Sequence, residues 1–250
     1  MPGSERTYEG RNEPLRQKKA LKTVAIILGV FALVFVTYEI FTLKSIKVTG
    51  CVKVPEEDIV ALSGLKTGDS VFFIDTGKAA DALSSDIRIK VIGVSVEYPN
   101  RAVIAVKERK PAACIIKSDT MLVIDEEGYL LEIAEKPDKP PYPAVMGLSL
   151  EEYSTGARLG ASDAFQLDVL CKVLAETANA GVEIQSVDVS IPADVAVELK
   201  DGFSIELGDD LNLGRKLEIA KASVRKLKEM GKTGGVVNVS SGTDARYLEK

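Results

Sequence analysis

The segment Thr23–Leu43, TVAIILGVFALVFVTYEIFTL, constrains this chain more than any other feature: it is 21 residues long and holds one charge, Glu39, a turn from its far end. At 1.5 Å of rise per residue such a helix is about 31 Å long, the thickness of a bilayer's hydrocarbon core. Nothing polar recurs at helical spacing within it, as it would on the solvated face of a core helix of that length. A secretory signal fits less well, because the run exceeds the usual stretch of about 7–15 apolar residues and no small-x-small cleavage site follows. The expectation is a single uncleaved membrane anchor over residues 23–43. Glu39 sits where it can snorkel to the interface, a simpler account than a functional intramembrane carboxylate.

The flanking charges set a direction. Residues 1–22 carry Arg6, Arg11, Arg16, Lys18, Lys19 and Lys22 against Glu5, Glu9 and Glu13, and the four charges nearest the anchor are all basic. The positive-inside rule places this tail in the cytoplasm and the C-terminus outside it. With the basic tail and Glu39 removed from the chain's net charge of −5, the exported residues carry −7. An acidic exported part is a poor match for nucleic acid. The chain has no histidine, and Cys51, Cys114 and Cys171 are too scattered for a zinc site or a CxxC motif, which excludes most metal and imidazole-based catalysis. No metal, cofactor or small-molecule substrate is expected. An odd cysteine count also leaves the fold to be held by its core. Cys114 in a strand and Cys171 on an apolar stripe read as small core residues.

Residues 44–111 parse as β-α-α-β-β. Ile46 and Val48 alternate with polar neighbours up to Gly50; Pro55, Glu56, Glu57 and Asp58 open a short helix that Gly64 stops; a second helix starts at an Asp75 or Thr76 cap with Ala79, Leu83 and Ile87 on one stripe. Ile92, Val94, Val96 and Tyr98 alternate up to the turn Tyr98-Pro99-Asn100-Arg101, and Ala102, Ile104 and Val106 alternate after it. Past Pro111 strands dominate. One expected hairpin pairs Leu122 with Leu131 and Ile124 with Tyr129 across Asp125-Glu126-Glu127-Gly128. Another uses the three-residue loop Lys200-Asp201-Gly202, pairing Leu199 with Phe203, Val197 with Ile205 and Val195 with Leu207. Helices are expected over about Ser162–Asn179 and Leu213–Met230, and a last strand over Val236–Ser240. The proline run 136–143 reads as a stiff surface loop, with a linker or recognition segment as the alternatives. The fold class is α+β: one transmembrane helix, a β-α-α-β-β unit, then a strand-rich domain with two helices.

The stretch from Ile46 to Ala113 resembles a POTRA domain, specifically that of the FtsQ/DivIB bacterial cell-division family. The resemblance is carried by Ile46-Lys47-Val48-Thr49-Gly50, Ser63-Gly64-Leu65, Gly68-Asp69-Ser70-Val71-Phe72-Phe73-Ile74-Asp75, Tyr98-Pro99-Asn100 and Val106-Lys107-Glu108-Arg109-Lys110-Pro111. It continues through Leu122-Val123-Ile124-Asp125-Glu126-Glu127-Gly128 and Pro143 to Gly147. It departs at Ile87-Arg88-Ile89-Lys90, where many relatives are richer in aromatics. The resemblance implies the division 1–22 tail, 23–43 anchor, 44–110 POTRA domain and 111–250 C-terminal β-rich domain. It also implies a non-catalytic divisome scaffold, enriched at the division septum and linking early and late division proteins, with FtsB/FtsL-like (DivIC/FtsL) partners. Strand addition at a C-terminal edge is the physical mechanism expected, with Val236, Val237, Asn238, Val239, Ser240, Arg246 and Tyr247 as candidate partner-binding residues. Val237 and Val239 are expected to face inward, Asn238 and Ser240 outward.

Two other classes compete. Ser63-Gly64-Leu65-Lys66, Ser162-Asp163 and Lys232-Thr233-Gly234 follow the order of the penicillin-binding serine enzymes, but Ser63 closes a helix instead of opening one and Ala164 breaks the second motif. A POTRA-bearing secretion, assembly or sporulation adaptor is the other alternative; arrays of such units joined to a barrel would show repeats and barrel strands that this sequence lacks.

Overall fold

A computed structural model describes the backbone from Glu13 to Glu249, with side chains from Leu21 onward. Residues 1–12 of the expected cytoplasmic tail lie outside the described residues. The chain divides into two compact units, one holding residues up to 83 together with 91–106, the other holding 84–90 together with 107 onward.

The first unit begins with helix α1, Glu13–Ile40. Its stretch Leu21–Ile40 is long and apolar enough to cross a membrane, and every side chain in it is exposed. The helix stops three residues short of the expected anchor end. Leu43 is 1% exposed and exchanges backbone hydrogen bonds with the 68–69 loop, so it belongs to the globular part.

Next come β1 (Ser45–Thr49), α2 (Glu56–Ser63), α3 (Thr76–Leu83), β2 (Ile89–Glu97) and β3 (Arg101–Glu108), the β-α-α-β-β order expected. The sheet order is β1-β3-β2, with β1 parallel to β3. Pro55 precedes α2, three acids load its first turn, and Gly64 caps it in the left-handed conformation at φ 70°. Asp75 caps α3 by accepting the Lys78 N–H at 3.0 Å. Gly50 has φ 91°, and a Cβ there would lie 1.8 Å from the Val106 carbonyl oxygen, so the end of β1 accepts only glycine.

The second unit is built on nine strands: β4 (Ala113–Lys117), β5 (Thr120–Ile124), β6 (Leu130–Glu135), β7 (Ala144–Met146), β10 (Ile184–Asp188), β11 (Val195–Leu199), β12 (Phe203–Gly208), β13 (Gly235–Asn238) and β14 (Arg246–Leu248), with the small hairpin β8 (Leu150–Glu152) and β9 (Gly160–Ala161) beside them. The spatial order is β14-β13-β12-β11-β10-β7-β4-β5-β6. Three-residue β7 lies between β4 and β10, parallel to both. Helices α4 (Ala164–Asn179) and α5 (Leu213–Glu229) pack on the sheet, and their stripes Leu167, Leu170, Val173, Leu174 and Leu213, Leu217, Ala220, Val224 join Val187, Val197, Ile205 and Val237 in one core. Asp163 caps α4 through the Phe165 and Gln166 N–H groups. Strands β4 and β5 bury their other face too, where Cys114, Met121 and Val123 form a small second cluster.

Buried Gln166 ties two loops together, its amide donating to the Gly147 and Val189 carbonyls at 2.9 and 2.7 Å. Cys114 is buried and Cys171 half-buried against the main core, and burial pushes both thiols above the usual range.

Two registers differ from expectation. The β5–β6 hairpin pairs Ile124 with Leu130 and Leu122 with Ile133. The first one-residue shift comes from the turn, which closes with the Asp125 N–H donating to the Tyr129 carbonyl at 3.1 Å, the Asp125 carboxylate accepting the Glu127 and Tyr129 N–H groups at 2.9 and 2.8 Å and Gly128 at φ 80°; a bulge between Val123 and Ile124 adds the second. In the β11–β12 hairpin Val197 does oppose Ile205, and Gly202 is left-handed at φ 89°. A bulge then moves Val195 onto Gly208 instead of Leu207.

Candidate partner-binding edge

The expected terminal strand exists, but it is not the edge. β13 is hydrogen-bonded on one side to β12 in parallel, Ile205 opposite Val237. On the other side it pairs antiparallel with β14, with Val236, Val237 and Asn238 opposite Leu248, Tyr247 and Arg246. The polar tail therefore turns back as a further strand, which ends the sheet. Among the described residues no strand pairs with the outer side of β14. The sequence hid this because three residues, Arg-Tyr-Leu, are too short to show a period of two.

The turn into β14 is held by short polar contacts. The Asn238 side chain accepts from the Ser240 N–H at 3.1 Å and the Ser240 hydroxyl at 2.8 Å while its amide donates to Glu206. The Ser241 hydroxyl donates to the Asp244 carboxylate at 2.6 Å. Hydrogen bonds from Ser241 and Thr243 hold the Asp244 carboxyl below the usual aspartate range. This Ser-Gly-Thr-Asp cluster was the one sequence signal that could have announced a turn instead of a frayed end.

Once formed, β14 is fastened at three points. The Tyr247 hydroxyl donates to the Gly234 carbonyl at 2.9 Å, and its half-buried ring packs on the main core. Gly235, at φ 129°, makes room for it, since a Cβ there would stand 2.5 Å from the Tyr247 ring and 2.8 Å from the Leu248 carbonyl oxygen. Lys232 reaches Glu249 at 2.6 Å, and that carboxylate holds the ammonium above the usual lysine range.

The candidate residues thus fall into two groups. Val237 and Val239 are fully buried, and Val236 and Asn238 are half-buried inside the sheet, where a partner strand does not reach their backbone. Ser240 and Arg246 are exposed. Tyr247 faces the core, and the exposed face of β14 is formed by Arg246 and Leu248, the latter 61% exposed and absent from the sequence-based set.

The fragments that resembled a serine enzyme sit at element ends with structural partners. Ser63 is the last residue of α2, its hydroxyl donating to the Val60 carbonyl at 2.7 Å. Asp163 caps α4, and Lys232 pairs with Glu249.

Residues 41–109 match the family of FtsQ-type POTRA domains. Over 243 residues, 94% of each chain, the sequence is 24% identical to the cell division protein DivIB of Clostridium botulinum strain Hall. It is 25% identical over 197 residues to DivIB of Clostridium acetobutylicum, covering 78% of each chain. With the cell division protein FtsQ of Mycobacteroides abscessus it shares 27% identity over 195 residues, 77% of this chain and 58% of that one.

Proposed function

Because the chain carries an FtsQ-type POTRA domain and belongs, over most of its length, with the DivIB and FtsQ cell-division proteins, we propose that it is a non-catalytic scaffold of the bacterial divisome that holds an FtsB/FtsL-like (DivIC/FtsL) partner by strand addition at β14. In this reading α1 is a single-pass anchor with its N-terminus in the cytoplasm, residues 44–110 and 111–250 act as the two exported modules, and the protein gathers at the septum.

The observation that carries the reading is the open outer side of β14. Its worth can be bounded. A three-residue edge turns one or two residues' backbone groups outward, and each net hydrogen bond contributes about 0.5–1.5 kcal/mol. With an N–H and a C=O on each, two to four bonds total about 1–6 kcal/mol, against about 8 kcal/mol for micromolar affinity. Backbone pairing sets direction and register, so side chains must supply the remainder. Leu248 is the main apolar candidate, able to contribute about 1.5–3 kcal/mol on full burial, with Arg246 beside it to meet an acidic partner residue.

The test uses the full-length protein and the host's own FtsB/FtsL-type pair. Leu248→Asp at the exposed face of β14 is expected to weaken binding by about 30-fold, equivalent to about 2 kcal/mol. Ile133→Asp, on the exposed face of β6 at the opposite end of the sheet, is expected to leave binding unchanged. Equal losses from both variants, or none from Leu248→Asp, would remove β14 as the contact. For the cellular role, a fluorescent fusion is expected at midcell during division; an even peripheral pattern throughout the cycle contradicts it.

A further inference from the structure

We propose that an aromatic cluster on the POTRA unit, Phe41, Phe72 and Tyr98, rests in the lipid headgroup layer of the membrane that α1 crosses and holds this unit against the bilayer surface. The inference rests on α1 as an anchor and is independent of strand addition at β14.

The depth of the cluster follows from the helix. Leu21–Ile40 is 20 residues, about 30 Å at 1.5 Å per residue, so a spanning α1 uses its whole apolar length on the hydrocarbon core. Phe41 comes next, and its N–H still donates to the Thr37 carbonyl at 3.1 Å, which places it at the interface within the last helical turn. No free linker intervenes before the globular part. The Val71 N–H donates to the Phe41 carbonyl at 3.0 Å, the Leu43 N–H to Asp69 at 2.7 Å, and the Gly68 N–H to the Leu43 carbonyl at 2.9 Å. Thr42 also forms a bridge with Ser70.

These bonds and the ring contacts bring Phe72 and Tyr98 beside Phe41. The Phe72 ring centroid is 4.8 Å from Phe41 and 6.0 Å from Tyr98, and Phe41 and Tyr98 are 6.5 Å apart. Phe72 and Tyr98 are 59% and 64% exposed, an unusual amount of aromatic surface to leave in water. Rings at this level match the aromatic belt of membrane proteins, with a phenol hydroxyl among headgroups and phenyl faces toward the acyl chains. Lys44 follows Phe41 outward, is exposed, and supplies positive charge that lipid phosphates attract.

The occupant is lipid because the cluster is continuous with the end of the membrane helix. The chain has no tryptophan, so a single introduced indole reports alone. Full-length Phe72→Trp and Tyr98→Trp would be reconstituted in phosphatidylcholine vesicles with and without acyl-brominated lipid. Val52→Trp, at an exposed position beyond the far end of β1, is the reference. The expected result is several-fold stronger quenching by brominated lipid at positions 72 and 98 than at 52. Because residues 72 and 98 are already exposed aromatics, the substitutions test position without removing core. Quenching at both positions no greater than at 52, whether the cluster is then in water or covered by protein, would overturn the proposal.

Discussion

The nine-stranded sheet ends in opposite ways on its two sides. At β6 the edge is covered: the Leu130 N–H donates to the Ala157 carbonyl at 2.9 Å, the Leu130 carbonyl accepts from Gly156 at 2.8 Å, and Tyr129 bridges Arg158. The uncovered remainder of β6 carries exposed Glu132 and Glu135, charges that discourage another strand. At β14 the edge is three residues long, fastened inward by Tyr247 and followed by no covering loop among the described residues. A sheet with one protected and one available edge can add a strand in one place and one direction. That asymmetry, more than the presence of strands, makes β14 the candidate contact.

The largest effect expected within this comparison is on the strands common to both ends. Ile205 is fully buried in β12 and stands between Val197 and Val237, so Ile205→Ala should lower unfolding stability by about 3 kcal/mol in a denaturant titration. Partner affinity per folded molecule should not change, because the contact lies two strands away. If affinity falls with stability, the edge is not an independent contact.

A smaller and more local change is Tyr247→Phe, which removes the hydroxyl bond to Gly234 and leaves the ring. About 1 kcal/mol of local stability should be lost, read as faster amide exchange in β14 with β6 unaffected.

The smallest effects are those of pH, and they separate the two ends. At the β6 end, burial raises the Glu127 pKa, but hydrogen bonds and charge from Lys90 and Arg109 outweigh it and leave it below the usual 4.5. A depressed carboxylate contributes stability above its unfolded pKa and loses it as pH falls through the folded value, so this end should loosen below about pH 4.5. At the β14 end the raised Lys232 pKa gives the reverse sign: its contribution is complete below the unfolded value near 10.5 and disappears at more alkaline pH. Amide exchange with Glu127→Gln and Lys232→Gln as references checks both, each substitution erasing the dependence at its own end.

The sequence shows the POTRA unit and the sheet's edges to very different degrees. In the former each element brings its own signal, such as the Pro55 and Gly64 boundaries of α2 or the alternation in β3, and local chemistry is enough to order them. Helices α4 and α5 were equally visible from their stripes. Three-residue β7 shows no period, and only the pairing of β4 and β10 on either side makes it a strand. The same holds for β14. Whether Val236–Asn238 is an edge depends on what Arg246–Leu248 does, a non-local fact that no pattern within either segment contains. The bulges at Val123 and Val195 escaped for a related reason, since side-chain alternation fixes faces but leaves a shift created at a turn unmarked. Legibility thus followed the range of the interactions that define each element.

The most direct measurement is amide hydrogen exchange of the full-length protein, alone and with the FtsB/FtsL-type pair proposed as its partner. The account predicts new protection at Arg246–Leu248, no change at Leu130–Glu135, and slow exchange of β13 in both states. Protection gained at β6, or a β14 that exchanges equally fast with and without partner, would contradict it.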